Sequence, residues 1–127
     1  MTTLNTNQCG RIGEEIARNF LTQKRYLIKK QNFRKQWGEI DLVAFDKTTQ
    51  ETVFVEVKTV NQKSQANILP EEQLTPAKIQ KLKKVILSYL AEVKLENKPW
   101  RLDLIAIELT DSQPIIRHYT NIYVNFT

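Results

Sequence analysis

One cysteine, Cys9, and one histidine, His118, are all that this 127-residue chain has of either type. A lone cysteine closes no internal disulfide, which fits a reducing compartment and gives an expected cytoplasmic location. One of each is also too few for a zinc site, which usually draws three or four ligands from His, Cys and carboxylates. A Ser-His-Asp or Cys-His mechanism would have to use these two residues, and nothing near either suggests a nucleophile. His118, beside Tyr119, reads as a surface or half-buried strand residue. No stretch of 18 apolar residues occurs, so no membrane span and no membrane partner are expected. Met1 to Asn7 lacks the basic and apolar regions of a signal peptide. Internal repeats, low-complexity tracts and linkers are equally missing.

What is present belongs to an ordinary soluble globular chain, with 41% hydrophobic and 26% charged residues. At this length one domain, 1–127, is expected, burying roughly two-thirds of the surface its unfolded chain exposes. The net charge of +5 is unevenly placed. Residues 1–37 hold eight Lys and Arg against two Glu, leaving the remainder slightly acidic. A basic excess is compatible with a polyanionic partner, although alone it speaks to solubility and non-specific association.

The most informative segment is Gly38-Glu39-Ile40-Asp41-Leu42-Val43-Ala44, followed by Val53-Phe54-Val55-Glu56-Val57-Lys58. Both pieces read as strands, rich in β-branched and aromatic residues, joined by the polar turn Asp46 to Glu51. Because strand side chains alternate, Phe54, Glu56 and Lys58 share one face, and Val53, Val55 and Val57 share the other. Asp41 is expected on a face with Val43 and Phe45, and Ile40, Leu42 and Ala44 opposite. If Asp46 pairs with Glu51, the same antiparallel register sets Asp41 against Glu56. Directly opposed Cβ atoms lie about 4.5–5.5 Å apart, and like charges there repel. A cation between them removes the repulsion, and hard oxygen ligands in this number suit Mg²⁺ or Mn²⁺. A surface hairpin with two edge carboxylates, one paired to Lys58, is the alternative.

Around this hairpin the spacing predicts a helix from about Arg11 to Lys24. Its apolar arc holds Ile12, Ile16, Ala17, Phe20 and Leu21, with Glu14 on the edge. A carboxylate on that rim can reach a site beneath the helix, or it can be a first-turn glutamate complementing the helix dipole. A strand from Tyr26 to Phe33 follows, then the basic run Arg34-Lys35-Gln36-Trp37. That run could contact phosphates and stack on a base, or form a solvated turn with Trp37 covering the core. Thr59 to Leu74 reads as a long polar loop. Thr75-Pro76 opens a second helix, with a capping residue and proline at the first helical position. Its stripe is Ile79, Leu82, Ile86, Leu90 and Val93, flanked by Val85 and Tyr89. Lys78 falls inside that arc and in the first turn, against the macrodipole, either as a functional residue or as a snorkelling one. A buried strand from Trp100 to Ile107 carries Arg101 and Asp103 on one face as a structural pair. One or two marginal strands complete the chain from Ile115 to Phe126.

The order of these elements and motifs resembles the restriction-endonuclease-like superfamily, marked by Asp on one strand and Glu or Asp, any residue, Lys on the next. A closer resemblance is to the YraN-like family of small uncharacterised bacterial proteins. Gly10-Arg11-Ile12-Gly13-Glu14, Gly38-Glu39-Ile40-Asp41-Leu42, Phe54-Val55-Glu56-Val57-Lys58, Thr75-Pro76-Ala77-Lys78 and Arg101-Leu102-Asp103 are similar to that family's motifs, in its order. The chain is also similar to archaeal Holliday-junction resolvases. These resemblances imply an α/β fold with an αβββαβ core, a central mixed sheet flanked by helices. They further imply a metal-dependent endonuclease using Mg²⁺ or Mn²⁺, acting on nucleic acid, DNA first, with branched DNA and a homodimer suggested by the resolvases. Carried over by position, Asp41 and Glu56 would be metal ligands, Lys58 would serve the attacking water, and Glu14 would complete the catalytic set. Arg34, Lys35 and Lys78 would contact nucleic acid. Two positions depart from the pattern: Ile40 rather than proline precedes Asp41, and Thr59-Val60 supplies no basic residue after Lys58. A non-catalytic nucleic-acid-binding module of the same fold, and a protein-interaction scaffold, are the competing functions.

Overall fold

The computed structural model describes residues 4–64 and 67–123. The element order is α1 (Thr6–Gln23), β1 (Tyr26–Lys35), β2 (Gly38–Asp46), β3 (Glu51–Asn61), a short 3₁₀ turn (Pro70–Gln73), α2 (Pro76–Glu92), β4 (Trp100–Leu109) and β5 (Ile115–Tyr119). The five strands form one sheet in sequence order. Pairs β1–β2, β2–β3 and β4–β5 are antiparallel, and β3–β4 is parallel. A parallel pair needs a long crossover, which α2 provides. The result is a mixed α/β fold in which a five-stranded mixed sheet carries a helix on each face. Among the described residues no helix is long and apolar enough to cross a membrane.

Two separate apolar clusters hold the helices to the sheet. On one face Ile79, Leu82, Val85, Ile86, Tyr89 and Leu90 of α2 pack with Phe33, Ile40, Val43, Phe54, Leu102 and Leu104. On the other, Ala17 and Leu21 of α1 pack with Leu42, Val53, Val55, Ile105 and Ile107. The α2 stripe is the predicted one except at its end, where Val93 lies past the helix and is exposed.

Helix α1 differs more. It begins five residues earlier than predicted, because Asn5 and Gln8 form a reciprocal capping box in an otherwise featureless polar stretch. Its buried line is Cys9, Gly13, Ala17 and Leu21, while Ile12 is 36% exposed. The small residues win over the larger apolar ones because they let the helix approach β3 closely. A Cβ on Gly13 would lie 1.8 Å from Thr59 Oγ1.

The predicted polar loop is shorter than 59–74, since β3 continues to Asn61. Its far end is tied down where Glu71 of the 3₁₀ turn accepts hydrogen bonds from Arg117, including Nη2 at 2.9 Å, and from the Tyr119 hydroxyl at 2.6 Å. Strand β5 stops at Tyr119, and the part of the expected strand at 124–126 lies outside the described residues.

The predicted Arg101–Asp103 pair is present, Nε to Oδ1 at 3.0 Å, inside a larger buried network. Arg101 also reaches Asp46 at 3.1 Å, Glu51 at 2.7 Å and the Tyr26 hydroxyl at 2.6 Å. Asp103 in turn meets half-buried His118 Nε2 at 2.8 Å and accepts the Asn121 amide at 2.9 Å. This network knits β1 through β5 at the start of β3, and the remaining charged cluster lies at its other end.

Candidate active site

Strands β2 and β3 pair in the predicted register, Asp46 with Glu51 through Leu42 with Val55. The next step would set Asp41 against Glu56, but there the ladder stops. In place of a backbone rung, the Asp41 carboxylate accepts the Val57 amide, Oδ2 to N at 2.8 Å. Strand alternation breaks at the same residue. Ile40 packs toward α2 with Val43 and Phe54, whereas Leu42 packs toward α1. The expectation that Ile40 shares a face with Leu42 and Ala44 is thus corrected. The local irregularity puts the Asp41 carboxyl in the gap between the strands.

That position brings carboxyls together. Asp41 and Glu56 lie close enough for the charge of one to act on the other, and like charges there repel. Burial, then the neighbouring Glu56 carboxyl, push the Asp41 carboxyl far above the usual carboxylate range, with the Val57 amide opposing. Lys58 lies along the same strand face as predicted, its Nζ 3.3 Å from Glu56 Oε2, both side chains largely buried.

Glu14 is half-buried in the third turn of α1. The early helix start removes the dipole reading, because Glu14 is not in the first turn. Burial, together with the charges of Asp41 and Glu39, pushes its carboxyl up to about 7. Both Glu14 and Lys58 line a cavity of about 190 Å³ with Thr6, Cys9 and Gln73.

Two residues absent from the predicted set complete the cluster. With its amide turned to donate, Asn32 bridges Glu39 Oε1 at 2.9 Å and Glu14 Oε1 at 3.0 Å. Asn32 lies between the rungs Gln31–Leu42 and Phe33–Ile40, hence across from Asp41, and has φ of 52°. Asparagine tolerates this left-handed backbone better than most residues. Glu39 was findable, since it stands two residues before Asp41. Asn32 was not, because its place depends on the β1–β2 register and the irregularity after Ile28.

The three predicted nucleic-acid contacts do not form one patch. Since β1 extends through Lys35, Arg34 and Lys35 point to opposite faces. Arg34 pairs with Glu39 at 3.1 Å and Lys35 with Glu92 of α2 at 2.7 Å. Lys78 is exposed rather than in the apolar stripe, and its Nζ donates to the Gln73 carbonyl at 2.7 Å. A cavity of about 530 Å³, lined by Lys29, Phe45, Thr52, Tyr89 and Lys98 among others, lies at the opposite end of the sheet and holds none of the cluster.

As a cation site the cluster is a two-carboxylate one. Among the described residues no group of three or more His, Cys, Asp or Glu side chains is arranged to hold a metal. Mg²⁺ is usually held by only one or two carboxylates, with water and substrate phosphates supplying the rest. Asp41 and Glu56, two carboxyls that come together where the β2–β3 ladder ends, fit such an ion.

Fold and cluster together define a small mixed α/β protein with a carboxylate–lysine site at the sheet's splayed end. The model of the uncharacterised protein family UPF0102 matches residues 13–107, a span that contains Glu14, Asn32, Glu39, Asp41, Glu56 and Lys58. The chain belongs to family UPF0102. It is 35% identical to a UPF0102 protein of Herpetosiphon aurantiacus, over 91% of this chain and 93% of that one. Identity is 39% to the relative from Pelobacter propionicus, covering 90% and 81%, and 41% to that from Geotalea daltonii, covering 86% and 84%.

Proposed function

We propose that this chain is a metal-dependent endonuclease with a restriction-endonuclease-like core, hydrolysing nucleic-acid phosphodiesters. The observation that carries the reading is the meeting of Asp41 and Glu56 at the β2–β3 splay, with Lys58 on Glu56. Asp41 and Glu56 would hold Mg²⁺ or Mn²⁺, which when bound supplies Lewis acidity toward a phosphoryl oxygen and lowers the pKa of water. Lys58 orients the attacking water and offsets the negative charge that develops as it adds. Glu14, with its carboxyl near 7, is suited to exchanging a proton at neutral pH. Asn32 fixes Glu14 and Glu39 against each other. DNA is the first substrate to try, and a homodimer with two such sites would cut a four-way junction symmetrically.

A second reading keeps the same fold and gives these side chains a structural role, as in the Lys58–Glu56 pair. It makes the chain a non-catalytic nucleic-acid-binding module. Incubation with single-stranded, duplex and branched DNA and with RNA, in Mg²⁺ or Mn²⁺, separates the two. Cutting that depends on Asp41 and Lys58 supports the enzyme. Binding without cutting supports the module. Cutting that survives both Asp41→Ala and Lys58→Ala comes from a contaminant. Undetectable binding to any nucleic acid at low salt leaves a protein-interaction scaffold.

A further inference from the structure

On the α2 side of the site a shallow groove of about 170 Å³ runs between the tip of the β1–β2 hairpin and the first half of α2. Its lining brings together the apolar Leu82 and Val85, the Trp37 indole, the Glu56 carboxylate and the ammonium groups of Lys78 and Lys81. The hairpin tip is seated directly on α2, since a Cβ at Gly38 would come within 2.9 Å of Val85 Cγ2. The neighbouring Trp37 is therefore held at the rim, with 57% of its surface exposed. It covers no core. Lys81 makes no hydrogen bond or ion pair among the described residues, and Lys78 is steadied by the Gln73 carbonyl.

The groove is smaller than the roughly 300–1,000 Å³ of pockets that engulf a small molecule. It suits a flat group laid across it, with an anion beside the lysines. Resting on the endonuclease reading, a phosphodiester at Glu56 puts the adjoining phosphate within range of Lys78 and Lys81, and the attached base toward Trp37. A base can lie flat on that indole only when it is out of a duplex stack. We propose that Trp37, Lys78 and Lys81 form a subsite for an unpaired nucleotide beside the scissile phosphate. The site accordingly selects single-stranded or splayed segments over uninterrupted duplex.

The test uses the full chain carrying Lys58→Ala, which keeps the carboxylate pair and prevents cutting, in Mg²⁺. Fluorescently labelled oligothymidylate and a blunt duplex are titrated by anisotropy, and unlabelled oligothymidylate by tryptophan emission. The expected result is quenching on oligothymidylate that disappears when Trp37→Ala is added. Oligothymidylate affinity then falls by about tenfold or more, as loss of one stacked base implies, while duplex affinity is unchanged. Trp37→Phe should retain most of the single-strand affinity. Oligothymidylate binding that is indifferent to Trp37→Ala, or an equal loss on duplex, overturns the subsite and leaves the endonuclease reading standing. Failure to bind either nucleic acid overturns both.

Discussion

Asp41 stands in for a rung of the sheet: its carboxylate accepts the Val57 amide at 2.8 Å, one residue beyond the neighbouring carboxyl of Glu56. The same interaction that ends the β2–β3 ladder fixes a carboxyl between the strands. The splay is therefore fixed by a contact within the chain, and variants can probe it directly.

The first expectation concerns Gly13, which brings α1, and with it Glu14, down onto β3. Gly13→Ala places a methyl against Thr59 and should cost about 1–3 kcal/mol in denaturant unfolding, as overpacked sites do. Thr59→Ala alone should be close to neutral, because it removes a buried hydroxyl that has no hydrogen-bond partner among the described residues. Combined, the two should recover only part of the loss, since Thr59 Cβ is itself 2.8 Å from the added carbon.

Asn32 separates backbone from bridge. Asn32→Gly keeps the left-handed conformation and removes the donor to Glu14 and Glu39. Asn32→Ala loses both and should be less stable than the glycine variant by roughly 1 kcal/mol. Because the Asn32 hydrogen bond lowers the Glu14 pKa, both variants should shift the Glu14 carboxyl titration upward in NMR. Equal stability of the two variants would remove the strain argument.

The pH dependence of the metal-free protein has an unusual sign at this site. Glu14 binds its proton more tightly folded than unfolded, with a value of about 7 against an ordinary 4.5. Its contribution to stability therefore declines as pH rises from 4.5 to about 7. Asp41, also raised, acts in the same direction. Thermal melts across that window should show the decline, and Glu14→Gln should flatten it.

Glu71 has the opposite sign. Arg117 and Tyr119 hold its carboxyl down at about 2, below the ordinary 4.5. Its stabilisation is complete above 4.5 and is lost as pH falls toward 2. Glu71→Gln should lower stability at neutral pH and blunt the acid-induced loss in that window. An unchanged acid limb would mean the 3₁₀ turn is not held by this carboxylate.

The hairpin was legible because polar turn and apolar strands leave one sensible register, which holds from Asp46–Glu51 to Leu42–Val55 and ends one step short of the expected Asp41–Glu56 rung. The element order, the α2 start at Thr75-Pro76 and the Arg101–Asp103 pair were legible for similar local reasons. The α1 buried line was not: Ile12 and Ile16 outweigh Cys9 and Gly13 in any count of hydrophobicity, while close approach to Thr59 is a tertiary demand. The break of alternation at Asp41 was hidden too, because it arises from a side chain bonding a different strand's backbone. The division of Arg34 from Lys35 depended on where β1 ends, and strand ends are set by pairing more than by composition.

The measurement that tests the central claim most directly is thermal unfolding of wild type and Asp41→Asn as Mg²⁺ or Mn²⁺ is raised. An ion bound only by the folded state raises the melting temperature with its concentration. Wild type should show this rise. Asp41→Asn should start as stable as metal-free wild type, or slightly more stable, and respond far less. Shifts of equal size in both proteins, or no shift in wild type, would contradict the assignment of Asp41 and Glu56 as a cation site.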